Sequence, residues 1–107
     1  MAKKVYTVVE GASGETYKFE AHNKDTEFED VSAVYIFMKF TENNTFKILY
    51  IGQTGELGTR IANHDKWTIA NEHGCTHICV HETDSENDRW NIETDLIRKY
   101  NTPCNEQ

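Results

Sequence analysis

The sequence predicts an α+β domain: a small three-stranded antiparallel or mixed central sheet flanked by helices, with an extra β-hairpin at the N-terminal end. Three observations carry this. Runs rich in β-branched and aromatic residues fill the first half of the chain. Two later stretches place apolar residues at helical spacing. A single alternating apolar run lies between those stretches. Strands and helices segregated in this way read as α+β rather than as repeated βαβ units. With 107 residues, the chain can bury one core but not two. Residues 1–30 are therefore assigned to a hairpin extension and linker, and 31–107 to the main domain, the whole forming one compact unit.

Residues 4–10 and 15–21 are β-rich and are separated by Gly11-Ala12-Ser13-Gly14, which predicts the first hairpin. The second run alternates, with Tyr17, Phe19 and Ala21 on one face. Residues 23–30 are polar and acidic and read as a linker. Val31–Phe40 and Phe46–Gly52, joined by residues 41–45, predict a second hairpin at the centre of the sheet. From Gly55 to about Asn71, the positions of Leu57, Ile61, His64 and Thr68 predict one helix, ended by Gly74. Thr76–Thr83 alternates Ile78 and Val80 against His77, Cys79 and His81, as a third core strand does. Asp84 or Ser85 then caps a final helix that runs to about Tyr100.

A formal charge of −7 argues against a free-standing nonspecific nucleic-acid binder, which draws its long-range attraction from clustered Lys and Arg. It leaves room for a local positive spot at a pocket. The longest apolar run, residues 33–38, is too short to cross a bilayer, and no charged-then-apolar leader opens the chain. A cytoplasmic protein without a membrane partner is expected. The three cysteines are an odd number and read as reduced thiols.

Three features carry candidate chemistry. Glu93 falls within an apolar stripe formed by Trp90, Leu96, Ile97 and Tyr100, where a carboxylate is costly unless paired, protonated or bound to a metal. The plainer alternative is a glutamate at the stripe's edge, paired with Arg89 or another cation. Arg60 and His64, four residues apart on the first helix, share a face with Leu57 and Ile61. They read either as a snorkelling arginine beside a satisfied histidine or as a phosphate clamp with a titratable neighbour. Tyr35 and Tyr50 are ordinary strand residues on their own, but Gly52 directly follows Tyr50-Ile51, and a glycine at a strand end permits close approach by a ligand or helix.

Together these residues resemble the GIY-YIG nuclease superfamily. Ala33-Val34-Tyr35 stands where that family has its first signature tripeptide, and Tyr50-Ile51-Gly52 matches the second letter for letter. Gln53-Thr54, Leu57, Arg60 and His64 follow at the family's spacing. Glu93 corresponds to its metal-binding glutamate, and Asn101-Thr102-Pro103-Cys104-Asn105 is similar to its closing segment, in which Asn105 supports the site. Ala33 replaces the family's first glycine, and Gln53 stands where several members have a lysine thought to assist the tyrosine. The resemblance leaves residues 1–30 uncovered.

The resemblance implies one divalent ion, Mg²⁺ or Mn²⁺, held by Glu93 and otherwise by waters and the scissile phosphate. It implies that Arg60 neutralises charge growing on phosphorus. Tyr35 would be the general base, His64 would relay its proton, and Tyr50 would position water or phosphate, with Gly52, Gln53 and Asn105 as supporting or substrate-binding residues. The partner would be nucleic acid, DNA before RNA, with a protein partner or homodimer adding affinity.

Two rivals remain open. Cys75, His77, Cys79 and His81, with His73 just before them, include zinc-ligand types, although their spacing matches no strong zinc template. The same fold also serves as a non-catalytic binding or assembly module.

Overall fold

The computed structural model describes residues 4–43, 45–100, 102 and 104–105. The β-branched and aromatic runs form β1 (Val5–Glu10), β2 (Thr16–Asn23), β3 (Ala33–Phe40), β4 (Phe46–Thr54) and β5 (His77–Glu82). The helices are α1 (Leu57–Ala62), α2 (Trp67–Glu72) and α3 (Glu86–Lys99). The α+β class is as expected, but the sheet is five-stranded, in the order β1-β2-β5-β3-β4, rather than three-stranded. Every pairing is antiparallel. The N-terminal hairpin is not an appendage, because β2 pairs with β5 from Glu20↔Val80 to Asn23↔His77.

Alternation along the strands divides the core in two. Ala33, Tyr35, Phe37, Leu49, Ile78 and Val80 pack with Leu57 of α1 and Ala70 of α2. Val34, Ile36, Met38, Ile51 and Cys79 pack with Phe19 and with Leu96 of α3. β3 is buried on both faces over its first six residues, as its nearly unbroken apolar run requires. The register between β3 and β4 shifts at Phe37/Met38, which face Tyr50 and Ile48. This bulge leaves Leu49 as an extra residue, so that Leu49 and Tyr50, although adjacent, both serve the α1/α2 face.

The single helix expected from Gly55 to Asn71 is two short ones. α1 ends at Asn63, and the break is held by His64, whose Nδ1 accepts the Lys66 backbone N–H at 3.0 Å. Thr68, placed inward by the periodicity, is exposed, and Trp67 and Ala70 take its place. The acidic linker packs against α1: Asp30 accepts from the Thr59 backbone N–H and hydroxyl at 2.6 and 2.9 Å. α3 begins as expected, with the Ser85 hydroxyl accepting from the Asp88 N–H. Its buried stripe differs from the expected one. Arg89 and Leu96 are buried, with Ile92 and Tyr100 packed alongside, whereas Trp90 and Ile97 face solvent. The hairpin turn is tied to α3 through Asp95, which accepts from Ser13 N, Ser13 Oγ and Tyr17 Oη within 2.8 Å. Among the described residues no helix is long and apolar enough to cross a membrane.

Candidate active site

Tyr35 and Tyr50 reach one face from adjoining strands, Tyr35 by the alternation of β3 and Tyr50 through the bulge in β4. Their rings lie 6.0 Å apart and nearly parallel. His64, turned inward by the break between α1 and α2, sits edge-on to both, with its centroid 4.8 Å from Tyr50. Its Nε2 is 2.7 Å from the Tyr35 phenolic oxygen. Because Nδ1 accepts the Lys66 amide, the neutral imidazole carries its proton on Nε2 and donates it to Tyr35. This reverses the relay that the family resemblance implies, since His64 has no free acceptor nitrogen to offer the phenol. It leaves the Tyr35 hydroxyl proton available to another acceptor.

Charge is arranged around this pair. Burial, helped by the Arg60 charge, holds His64 down at about 4, so it is neutral at pH 7. Burial and the neighbouring Tyr50 raise the Tyr35 phenol well above the ordinary range, while Arg60 pulls it back. The Arg60 guanidinium is half-exposed at the mouth of the cluster and acts on both phenols. Its Nη2 is bonded to Asp65 Oδ1 at 2.9 Å, and that carboxylate is well exposed. Arg60 is thus neither snorkelling freely nor vacant for a phosphate.

The supporting residues fall into two groups. Gly52 lies under the tyrosines: a Cβ there would meet the Tyr35 oxygen at 2.6 Å and Tyr50 Cε2 at 2.8 Å. The close approach it permits is that of Tyr35 itself. Asn105 grips the edge strand, accepting from Ile51 N at 2.8 Å and donating to Ile51 O at 2.9 Å, while Cys104 N donates to Leu49 O. Asn101 and Pro103 of the same segment lie outside the described residues. Gln53 does not face the tyrosines. Its Oε1 accepts from Arg89 Nε at 3.0 Å, on the α3 side of the sheet, and ties β4 to α3.

Glu93 stands apart. α3 packs on the opposite face of the sheet from Tyr35 and Leu57, and no hydrogen bond or ion pair joins Glu93 to the cluster among the described residues. Nor does it pair with Arg89, which bonds instead to Gln53 and to the Thr83 and Asp84 carbonyls. Glu93 is half-buried without a partner among the described residues, and burial raises its carboxyl. The described residues contain no group of three or more His, Cys, Asp or Glu side chains able to hold a metal. A lone carboxylate suits only a hard ion that keeps most of its waters.

The zinc arrangement does not assemble. Cys75 packs on the α1/α2 face and Cys79 on the α3 face. His77 bonds to Thr76, and His81 to the Lys18 carbonyl. Burial pushes the Cys79 thiol up to about 12, which opposes the thiolate that zinc requires.

Sequence reasoning missed Phe37 and Asp65. Phe37 packs its ring 4.8 Å from His64 and 5.2 Å from Trp67, walling the imidazole in. Its position two residues after Tyr35 was the available signal. The cluster is not the only concave surface. A cleft of about 390 Å³, lined by Tyr6, Lys18, Glu20, His22, Phe28 and Leu57 among others, lies over β1, β2 and β5, and neither Tyr35 nor Tyr50 lines it. No family model, curated protein or solved structure matches this chain.

Proposed function

We propose that this chain is a metal-dependent endonuclease of the GIY-YIG type, hydrolysing nucleic-acid phosphodiester bonds, those of DNA before RNA, in the cytoplasm. The observation that carries the reading is the convergence of Tyr35, Tyr50, Arg60 and His64, drawn from β3, β4, α1 and the segment after it, around one hydrogen bond of 2.7 Å. The signature residues follow one another in the order the resemblance implies, Tyr35 on β3, Tyr50 on β4, Arg60 on α1 with His64 after it, and Glu93 on α3, and the three buried free cysteines suit a reducing compartment.

In this reading Arg60 clamps the scissile phosphate, exchanging Asp65 for a phosphoryl oxygen. Tyr35, held by the His64 Nε2–H, donates its own hydroxyl proton in a hydrogen bond to a phosphate oxygen while it is neutral. It takes the water's proton only when it enters as phenolate, a state that Arg60 favours and burial opposes. Tyr50 packs beside it and fixes the approach. Glu93 is the carboxylate that would hold Mg²⁺ or Mn²⁺, an ion that would supply positive charge toward the nucleic-acid backbone, although from α3 it does not share the face of Tyr35.

A second reading, a non-catalytic binding module, is favoured by the Arg60–Asp65 ion pair and the net charge of −7. The test is incubation of the purified protein with labelled single-stranded, duplex and branched DNA and with RNA, in Mg²⁺ or Mn²⁺, beside Arg60→Ala, Tyr35→Phe and Glu93→Ala. Cleavage by the wild type that all three variants lose is the expected result. Absence of cleavage on every substrate selects the binding module.

A further inference from the structure

The two edges of the sheet are treated differently. The β4 edge is covered by the closing segment, through Cys104 and Asn105. The β1 edge has nothing beside it among the described residues. Strands left open in this way are ordinarily protected by proline, a bulge or charges along the edge. β1 carries none of these within Val5–Val9, its register with β2 is unbroken from Val5↔Ala21 to Glu10↔Thr16, and Val5, Tyr6 and Val8 are 59, 46 and 58 % exposed.

The outward-facing groups can be identified. Gly11 N donates to Glu15 O at 2.8 Å, so Glu10↔Thr16 is a non-hydrogen-bonded pair. By alternation Val5, Thr7 and Val9 bond to β2. The backbone N–H and C=O groups of Tyr6, Val8 and Glu10 therefore point away from the sheet.

We infer that β1 is a dimerisation edge, pairing antiparallel with β1 of a second copy of this chain about a two-fold axis at Thr7. In this register Tyr6 of each copy faces Val8 of the other through paired backbone bonds, and the four side chains form one apolar cluster on the open face. Val5 faces Val9, Thr7 faces Thr7, and Lys4 lies opposite Glu10. The strand is self-complementary in apolar pattern and in the sign of its end charges, as an isologous interface must be; Lys4 and Glu10 are exposed ends that also meet Glu20 and Lys99 within the chain, and Lys18 lies over the Tyr6 ring at 4.2 Å. A second copy of the chain is thus favoured over an unrelated extended peptide. The inference does not depend on the nuclease reading.

The test is sedimentation velocity of the full chain across a concentration series, with three substitutions. Wild type shows concentration-dependent dimers. Val8→Pro removes an outward N–H from each copy while leaving the β1–β2 bonds in place, and weakens self-association by about tenfold or more. Val8→Lys, which replaces both Val8 side chains of the cluster by two like charges, does the same if the proline variant does not fold. Thr7→Cys places two thiols across the axis in a non-hydrogen-bonded pair, with Cα atoms about 4.5 Å apart, within disulfide range. It cross-links on mild oxidation faster than Val5→Cys, although Val5 is the more exposed position; the native cysteines are buried. A chain that is monomeric at every concentration, or Val5→Cys cross-linking as fast as Thr7→Cys, overturns the inference.

Discussion

The Tyr35 phenol lies directly over the backbone of Gly52, so that a Cβ on Gly52 would sit 2.6 Å from its oxygen and 2.7 Å from Cζ. Tyr35 is almost fully buried and is held at its far end by His64, so the ring has no free direction in which to yield. Gly52→Ala is expected to destabilise the fold by about 1–3 kcal/mol through overpacking and to shift the phenol off His64. A thermal melt and a cleavage assay read the two effects. A variant of wild-type stability and activity would show that the ring moves aside without cost.

Burial of the same histidine makes stability pH-dependent. An unfolded histidine takes up a proton near pH 6.5, whereas folded His64, desolvated and beside Arg60, stays neutral until about 4. The unfolded state binds more protons in between, so stability is full above 6.5 and falls as the pH drops towards 4. The loss is on the order of 2–3 kcal/mol. Urea midpoints at pH 7 and pH 5 should differ for wild type and converge for His64→Gln. A residual slope of the same sign comes from His77, which burial also lowers.

Asp65 holds the guanidinium that the proposed reaction needs. Releasing it with Asp65→Asn should tighten binding of a short labelled oligonucleotide about two- to fivefold, the worth of an exposed ion pair, and steepen its dependence on salt by about one phosphate contact. Fluorescence anisotropy at two salt concentrations measures both. Unchanged affinity would mean that the phosphate does not bind at Arg60.

Which parts of this architecture were legible in the sequence depended on the range of the interaction. The strand runs and the Ser85 cap follow from spacings of two to four residues, which the chain displays directly. The break at residues 63–66 did not, because it depends on a side chain, His64, taking the Lys66 amide in place of the helical bond that the periodicity of Leu57 and Ile61 implied. The docking of β2 on β5 joins residues such as Ala21 and Cys79, and no local pattern marks it. The face on which Tyr50 lies is not legible from alternation. Simple alternation from Leu49 would have turned it to the α3 face, and the bulge opposite Phe37/Met38 turns it back. Cys75, His77, Cys79 and His81 looked like one face because alternation was carried past the end of the strand; Cys75 precedes β5 and packs on the other side.

Glu93 separates a functional residue from a tolerated defect. Its carboxyl is half-buried without a partner among the described residues, and burial raises it above the ordinary glutamate range. A group whose folded value is raised weakens the fold at neutral pH, and the penalty fades as the pH falls through that value. Glu93→Gln keeps the shape and removes the charge, so at pH 7 it should stabilise the metal-free protein, by no more than about 1 kcal/mol because the group is part-exposed. Its advantage should shrink towards pH 4. Wild type should gain melting temperature with added Mg²⁺ or Mn²⁺, since an ion bound only to the folded state stabilises it by mass action, and Glu93→Gln should not. A site retained for metal chemistry yields both results in the one variant: greater stability without the ion and no response to it. If Glu93→Gln is less stable than wild type, the carboxylate serves the fold. If Glu93→Gln responds to Mg²⁺ as wild type does, the ion binds elsewhere.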